Sequence, residues 1–376
     1  MALQAFELPL ALDQLDSQLL QRLERRGFSR DLLLAWSQTL GGEPAIRNRL
    51  PGKVECVPAG TIQNFEPHAA LAHLGRAAIA EGRVAACVLA GGMATRMGGV
   101  VKALVEVLPG KTFLDLRLDE VRAFAERGAP VPLWLMTSEP TDAPIAQALA
   151  LAGGTELART FEQFVSLRLE HDGELFRHEG EPSVYATGHG DLPDALRQSG
   201  LLAPFRAQGG RYVWVSNLDN LGAVVDETVL GYHIAAGRSV TAEVVDKRSG
   251  DAGGGPVLHE GRAIIAENFR LPPQFDAAQV TVFNTNSFII DATALEDLDL
   301  AWTYLEVHKT VAGRSAVQFE RLLGELTMAL ETNFLRVPRD GLQSRFLPVK
   351  TFEDLSAITP LLGARLTGSP LPSHPR

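Results

Sequence analysis

Val84-Ala85-Ala86-Cys87-Val88-Leu89 runs without a polar side chain into Ala90-Gly91-Gly92-Met93-Ala94-Thr95-Arg96-Met97-Gly98-Gly99. A short apolar run closed by small residues reads as a strand buried on both faces, followed by a tight turn. A helical pattern over 67–81 leads into it. Downstream, apolar runs at 131–136, 212–216, 240–245 and 279–290 read as further strands, with helical patterns at 113–127, 142–150 and 193–202. Strands alternating with helices predict an α/β fold: a mostly parallel central sheet with helices on both faces.

Upstream, Leu15, Leu19, Leu20, Leu23, Leu32, Leu33 and Leu34 recur at helical spacing, which predicts one or two amphipathic helices broken near Gly27. A loop rich in Pro and Gly follows over 41–60, and the tail 368–376, with three prolines, is expected to fray. The expected organisation is a helical segment and loop at 1–60, a main α/β domain at 61–340 and a short segment at 341–376.

The chain has 376 residues, 45% of them hydrophobic and 21% charged, which excludes a disordered or collagen-like chain. Its net charge of -10 argues against nucleic acid as a partner, because coating a phosphate backbone needs a broad basic face. Cys56 and Cys87 cannot make a disulfide framework, and Cys87 reads as a buried strand thiol. Without a leader-like N-terminus or an uncharged apolar run of about 18 residues, a cytoplasmic protein with no membrane partner is expected. Any polyanion it binds must find its cations concentrated locally, and Arg96, Lys102, Lys247 and Lys350 are the expected ones.

Ligands of open parallel sheets bind beyond the carboxyl ends of the strands. After the first strand, small residues at Ala90, Gly91, Gly92 and Ala94 let a ligand approach the backbone, and free amides there can cradle phosphate. Neither the Walker pattern nor the dinucleotide fingerprint fits: Lys102 follows a valine, and positions 94 and 97 are Ala and Met. Gly188-His189-Gly190-Asp191 suggests a flexible loop presenting an imidazole, with Asp191 capping the next helix. Asn217-Leu218-Asp219-Asn220-Leu221-Gly222 puts a carboxylate at a strand end, suited to Mg²⁺ on a triphosphate or simply to an Asx turn. Phe283-Asn284-Thr285-Asn286 interrupts an apolar strand with amides, and Arg345-Phe346-Leu347-Pro348-Val349-Lys350 ends in a lysine.

In this order, and together with Thr112-Phe113-Leu114-Asp115-Leu116, these segments resemble the UTP–glucose-1-phosphate uridylyltransferase family from about Val84 to Leu355. The resemblance implies a glycosyltransferase-A-like core and the reaction of UTP with glucose 1-phosphate to give UDP-glucose and pyrophosphate, with Mg²⁺. It implies that Leu89, Ala90, Gly91, Gly92, Lys102, Gln163, Gly188 and Asp219 hold UTP. It implies that His189, Asn217, Leu218, Asp219, Glu267 and Asn286 face the sugar phosphate, and that Asp219 is the metal ligand. Lys350, Lys102 and Arg96 carry the catalytic charge in that scheme, with Lys350 matching the family's catalytic lysine. Only 26 residues follow Lys350, too few for the C-terminal β-helix of the family's eukaryotic members, so oligomerisation through that module is not expected; the expected state is a monomer or small homo-oligomer.

Two departures stand out: Ala94 replaces the usual glycine, and the segment before Lys102 is one residue shorter and lacks Gly-Pro. They motivate an alternative, a nucleotide-sugar-binding protein with weak turnover. The other is a related pyrophosphorylase for N-acetylglucosamine or galactose 1-phosphate.

Overall fold

The computed structural model describes residues 7–251 and 253–367. Eight strands form the central sheet: β1 (Ile62–Asn64), β2 (Val84–Leu89), β3 (Leu133–Thr137), β4 (Ala158–Glu162), β5 (Tyr212–Asn217), β6 (Val240–Asp246), β7 (Val282–Asp291) and β8 (Thr332–Arg336). Their order is β1-β8-β6-β7-β5-β2-β3-β4. Only β7 runs antiparallel to its neighbours.

The helices are α1 (Glu7–Asp13), α2 (Ser17–Arg25), α3 (Arg30–Ser37), α4 (Ala69–Ala80), α5 (Phe113–Glu126), α6 (Glu139–Leu151), α7 (Leu192–Gln198), α8 (Leu202–Ala207), α9 (Glu227–Ala236) and α10 (Phe352–Thr367). Alternation along β2 shows how the two faces fill. Val84, Ala86 and Val88 join a core with Ile79 of α4, Leu118 of α5, Ile145 of α6 and Val229 of α9. Ala85 and Cys87 point the other way, into a core with Leu192 and Leu196 of α7 and Phe205 of α8. Cys87 is the buried strand thiol expected, and burial pushes its thiol up.

The expected helices and strands are present, with shifts that have local causes. Residues 12–40 break twice, at Gly27 and again before Asp16, whose carboxylate caps α2 by accepting from the Gln18 and Leu19 N–H groups. The helix expected over 193–202 stops at Gln198 and restarts at Leu202, since Gly200 adopts a φ of 74° between them. The 41–60 loop contains a helical turn, Pro44–Arg47, and a strand, Val54–Cys56, which pairs with Gly255–His259 in a small separate sheet. Three central strands escaped the sequence reading: β1 is short, β4 mixes polar and apolar residues, and β8 has one apolar pair. The tail beyond 367 lies outside the described residues.

Helices α1 to α3 pack on a satellite core, where Leu23, Leu33 and Trp36 meet Val165, Leu167, Val317 and Phe319. The last two belong to a hairpin of Leu305–Val311 with Arg314–Glu320, also missed by the sequence reading.

Two buried arginines tie the sheet to its loops. Arg117 on α5 donates to three carbonyls at the end of β5 and just beyond it, those of Ala223 (2.7 Å), Asn220 (2.8 Å) and Asn217 (3.3 Å). Arg345 makes a two-pronged pair with Glu243 of β6, Nε to Oε2 at 2.5 Å and Nη2 to Oε1 at 2.9 Å, and lies over the Trp214 ring. Glu243 is 1% exposed, so removing it strands a buried guanidinium. Glu243→Ala is expected to lower the unfolding free energy by about 3 kcal/mol or more in urea titrations. A loss of only a few tenths would show that this pair does not hold the segment.

Candidate active site

The chain order reverses at β2. From it the sheet grows through β3 and β4 on one side, and through β5 on the other. The loops after β2 and β5 therefore part company at their carboxyl ends and leave a crevice. A cavity of about 350 Å³ occupies it, lined from β2 and its loop by Leu89, Gly91, Gly92 and Met93. Lys102, Gln163 just beyond β4, His189, and Asn217, Leu218 and Asp219 at the end of β5 complete its expected walls, with Met136 of β3 unforeseen.

The loop after β2 is a small folded unit. Met93 and Ala94 pair with Val101 and Val100, and the reversal uses positive φ at Gly98 and Gly99. Ala94 is buried with a φ of -77°, so its methyl sits without strain. The Ala90 N–H is committed to the Met136 carbonyl at 2.7 Å and its side chain is 1% exposed, which keeps Ala90 out of the cavity wall. The N–H groups of Gly91 and Gly92 have no partner among the described residues. A methyl on Gly91 would meet the Gln163 amide, whereas one on Gly92 would meet nothing within 4 Å. Packing thus explains Gly91 but not Gly92.

Lys102 Nζ lies 2.5 Å from Asp219 Oδ2, both side chains being mostly buried. Asp219 Oδ1 makes no hydrogen bond among the described residues. Beyond β5, Asn217 Oδ1 accepts from Asn286 Nδ2 at 2.9 Å. Asn286 reaches it because β7 bulges: Glu243 pairs with Ser287 and Val244 with Asn284, leaving Thr285 and Asn286 unmatched.

Gly188-His189-Gly190-Asp191 is not the flexible loop its glycines suggested. Residues His189–Asp191 form a 3-10 turn pressed against the backbone of Arg321. A Cβ on Gly188 would lie 2.7 Å from the Arg321 carbonyl oxygen, and one on Gly190 2.6 Å from its carbonyl carbon. Asp191 does not cap α7 with its side chain; its carboxylate pairs with Arg321 at 2.5 Å and accepts from Thr187 Oγ1 and the Phe164 N–H. His189 Nδ1 accepts from the Leu323 N–H at 3.0 Å. Burial lowers its imidazole to about 4, against the opposing pull of Glu320, so near neutral pH it is uncharged with its proton on Nε2.

The remaining expected residues lie outside the cavity wall. Gly188 contacts Arg321 rather than the cavity. Glu267 accepts from the Gly254 N–H at 3.0 Å, and burial raises its carboxyl despite that bond. Arg96 is exposed, and Lys247 donates to the Ala277 carbonyl, so Lys102 alone of the four expected cations lines the crevice. Lys350 is exposed, its ammonium has no partner among the described residues, and it lies one residue past Val349, whose N–H donates to the Asp219 carbonyl at 2.9 Å. Asn220 locks this arrangement: Nδ2 donates to the Arg345 carbonyl, and Oδ1 accepts from the Leu347 N–H. Arg117 and Arg321, which support the walls from behind, had no sequence signal, and Arg345 was noticed only as part of the segment ending in Lys350, because an arginine buried by distant partners looks like any surface arginine.

A family model described as UTP–glucose-1-phosphate uridylyltransferase matches residues 51–364. The barley UTP–glucose-1-phosphate uridylyltransferase (Hordeum vulgare) is 32% identical over 285 residues, 71% of this chain and 59% of that protein. The chain spans about three-fifths of the length of the curated relatives it matches. Among solved structures, a UDP-glucose pyrophosphorylase variant from Leishmania major in complex with UDP-glucose is 27% identical, with a TM-score of 0.66 over 82% of this chain and 72% of that one. The uridine diphosphate N-acetylglucosamine pyrophosphorylase of Trypanosoma brucei is 19% identical with a TM-score of 0.69 over 89% of this chain and 83% of that one, a likeness of fold.

The glycines of the site separate by packing. Gly190→Ala is expected to destabilise the protein by about 2 kcal/mol, because backbone must move, whereas Gly92→Ala should stay within about 0.5 kcal/mol. Thermal unfolding of both variants reads the difference; equal losses would contradict the geometry.

Proposed function

The chain belongs to the UTP–glucose-1-phosphate uridylyltransferase family, and on that premise we propose that it transfers UMP from UTP to glucose 1-phosphate, releasing pyrophosphate. The core is read as glycosyltransferase-A-like. One observation supports the reading: Gly91 and Gly92, whose N–H groups have no partner among the described residues and with open space over Gly92, line a cavity together with Lys102. Bare backbone amides beside a cation suit phosphate oxygens, and a glycine that the fold itself does not need suits a ligand pressed against it.

The sugar phosphate is ionised near neutral pH, so its oxygen can attack the α-phosphorus without a general base. The protein must align two anions and offset their repulsion. Leu89, Gly91, Gly92 and Gln163 form the nucleotide side of the cavity, with Gln163 turned toward the uracil. Neutral His189 offers its Nε2–H to the sugar phosphate, and Asn217, steadied by Asn286, is the polar group beside it. Lys102 leaves Asp219 for the phosphates, and Lys350, exposed next to the Asp219 loop, stabilises the charge that develops on transfer.

Mg²⁺ is proposed as the cofactor. Among the described residues no group of three or more His, Cys, Asp or Glu is disposed to hold a metal. Mg²⁺ commonly takes one or two carboxylates and completes its shell with substrate phosphates and water, so Asp219, whose Oδ1 makes no hydrogen bond among the described residues, fits an ion that arrives on UTP. Such an ion, when bound, would neutralise charge on the phosphates.

Mixing the protein with UTP, Mg²⁺ and each of glucose, galactose and N-acetylglucosamine 1-phosphate is expected to release pyrophosphate fastest with glucose 1-phosphate. UTP binding by calorimetry without release for any sugar would overturn the enzyme reading and favour a binding protein. Lys350→Ala is expected to reduce kcat about a hundredfold while leaving UTP affinity nearly intact. Unchanged turnover would remove Lys350 from the reaction.

A further inference from the structure

The histidine in the cavity wall is held by a residue 132 positions later that never touches the cavity. Arg321 is 3% exposed and its main chain is stitched to the turn that carries His189. Its N–H donates to the Thr187 carbonyl at 2.9 Å, and its own carbonyl accepts from the Gly190 N–H at 3.0 Å. Its side chain returns to the same turn, Nε to Asp191 Oδ1 at 2.5 Å and Nη1 to Asp194 Oδ2 at 2.7 Å. The guanidinium lies among the rings of Phe164, Trp302 and Tyr304, 5.2 to 5.8 Å from their centroids. Those rings leave it little freedom to re-aim. Two residues on, the Leu323 N–H donates to His189 Nδ1.

Asp191, 0% exposed, is saturated from its side of the turn by Arg321, Thr187 Oγ1 and the Phe164 N–H. The turn therefore cannot rotate without breaking a buried ion pair, and the Leu323 N–H cannot shift without moving Arg321. Glycine at 188 and 190 is what permits this approach.

We propose that Arg321 is a positioning residue: through its main chain and the Asp191 ion pair it holds the Leu323 N–H on His189 Nδ1, fixing the tautomer whose Nε2–H faces the cavity. A neutral imidazole is donor at one nitrogen and acceptor at the other, so occupying Nδ1 as acceptor decides which nitrogen serves the ligand. Burial of the ring and the depressed titration of His189 accord with that tautomer, Glu320 being the charged neighbour that opposes it. The effect on turnover rests on the uridylyltransferase reading; the effect on the imidazole does not.

Long-range ¹H–¹⁵N correlation on the full chain with ¹⁵N-labelled histidine tests it. In the wild type near neutral pH, His189 is expected as a single Nε2–H tautomer, and an Nδ1–H tautomer or a mixture overturns the proposal. Arg321→Lys keeps the charge but cannot reach both Asp191 and Asp194. It is expected to mix the tautomers and to lower kcat about ten- to a hundredfold, with KM for UTP changed about twofold at most. A folded Arg321→Lys protein with the wild-type tautomer and kcat overturns the proposal. Should that variant not fold, Thr187→Val, which removes one bond from Asp191, is expected to show a smaller mixing, and an unaltered His189 spectrum there overturns it equally. Wild-type protein with the expected tautomer but no pyrophosphate release would count against the uridylyltransferase reading and leave the positioning claim supported.

Discussion

Arg117 gathers the carbonyls of Asn217, Asn220 and Ala223 onto one guanidinium, and the working end of the sheet depends on it. A segment leaving a parallel strand at its carboxyl end points its carbonyls away from the ladder, and buried carbonyls need donors. The charge on Arg117 meets three at once. With the loop fixed, Asn220 can read the backbone of residues 345–347, and Asp219 can accept from Val349. Asn217 and Asp219 then face the crevice from a rigid strand end, and Lys102 finds its partner there. The second arginine, Arg345, anchors the far side of the same loop to Glu243 and so to β6.

Much of this was legible in the sequence, and for a common reason. The strands β2, β3, β5, β6 and β7 and the helices between them are written in local apolar patterns, which periodicity reads directly. The crevice followed from the rule that ligands sit beyond the strand ends, applied to Gly91, Gly92, Asn217 and Asp219. What could not be read is whatever depends on distant partners. Gly188 and Gly190 looked like part of a flexible loop, and they are points of close approach to Arg321. Asp191 looked like a helix cap, and its carboxylate is spent on an ion pair 130 residues away. The β7 bulge that delivers Asn286 to Asn217 leaves no mark in composition.

The expected convergence of cations is the clearest difference. A single lysine lines the cavity, and it is already paired with Asp219. For an anionic ligand, the attraction available there comes mainly from short-range backbone amides and that one paired lysine, and it fades over a Debye length.

The lacing of residues 345–349 onto the Asn217–Gly222 loop has a further consequence, for the order in which the molecule is made. The bonds from Asn220 span 125 and 127 residues of chain. A polypeptide emerging from its N-terminus therefore exposes β5 and its loop long before the segment that secures them has been synthesised. Contacts of such separation are slow to close, because chain entropy must be lost before they form. Helices and strands up to β5 can assemble early as a platform, while the crevice acquires its shape only near the end of synthesis. Nascent chains short of residue 349 would carry the parallel sheet without a finished crevice.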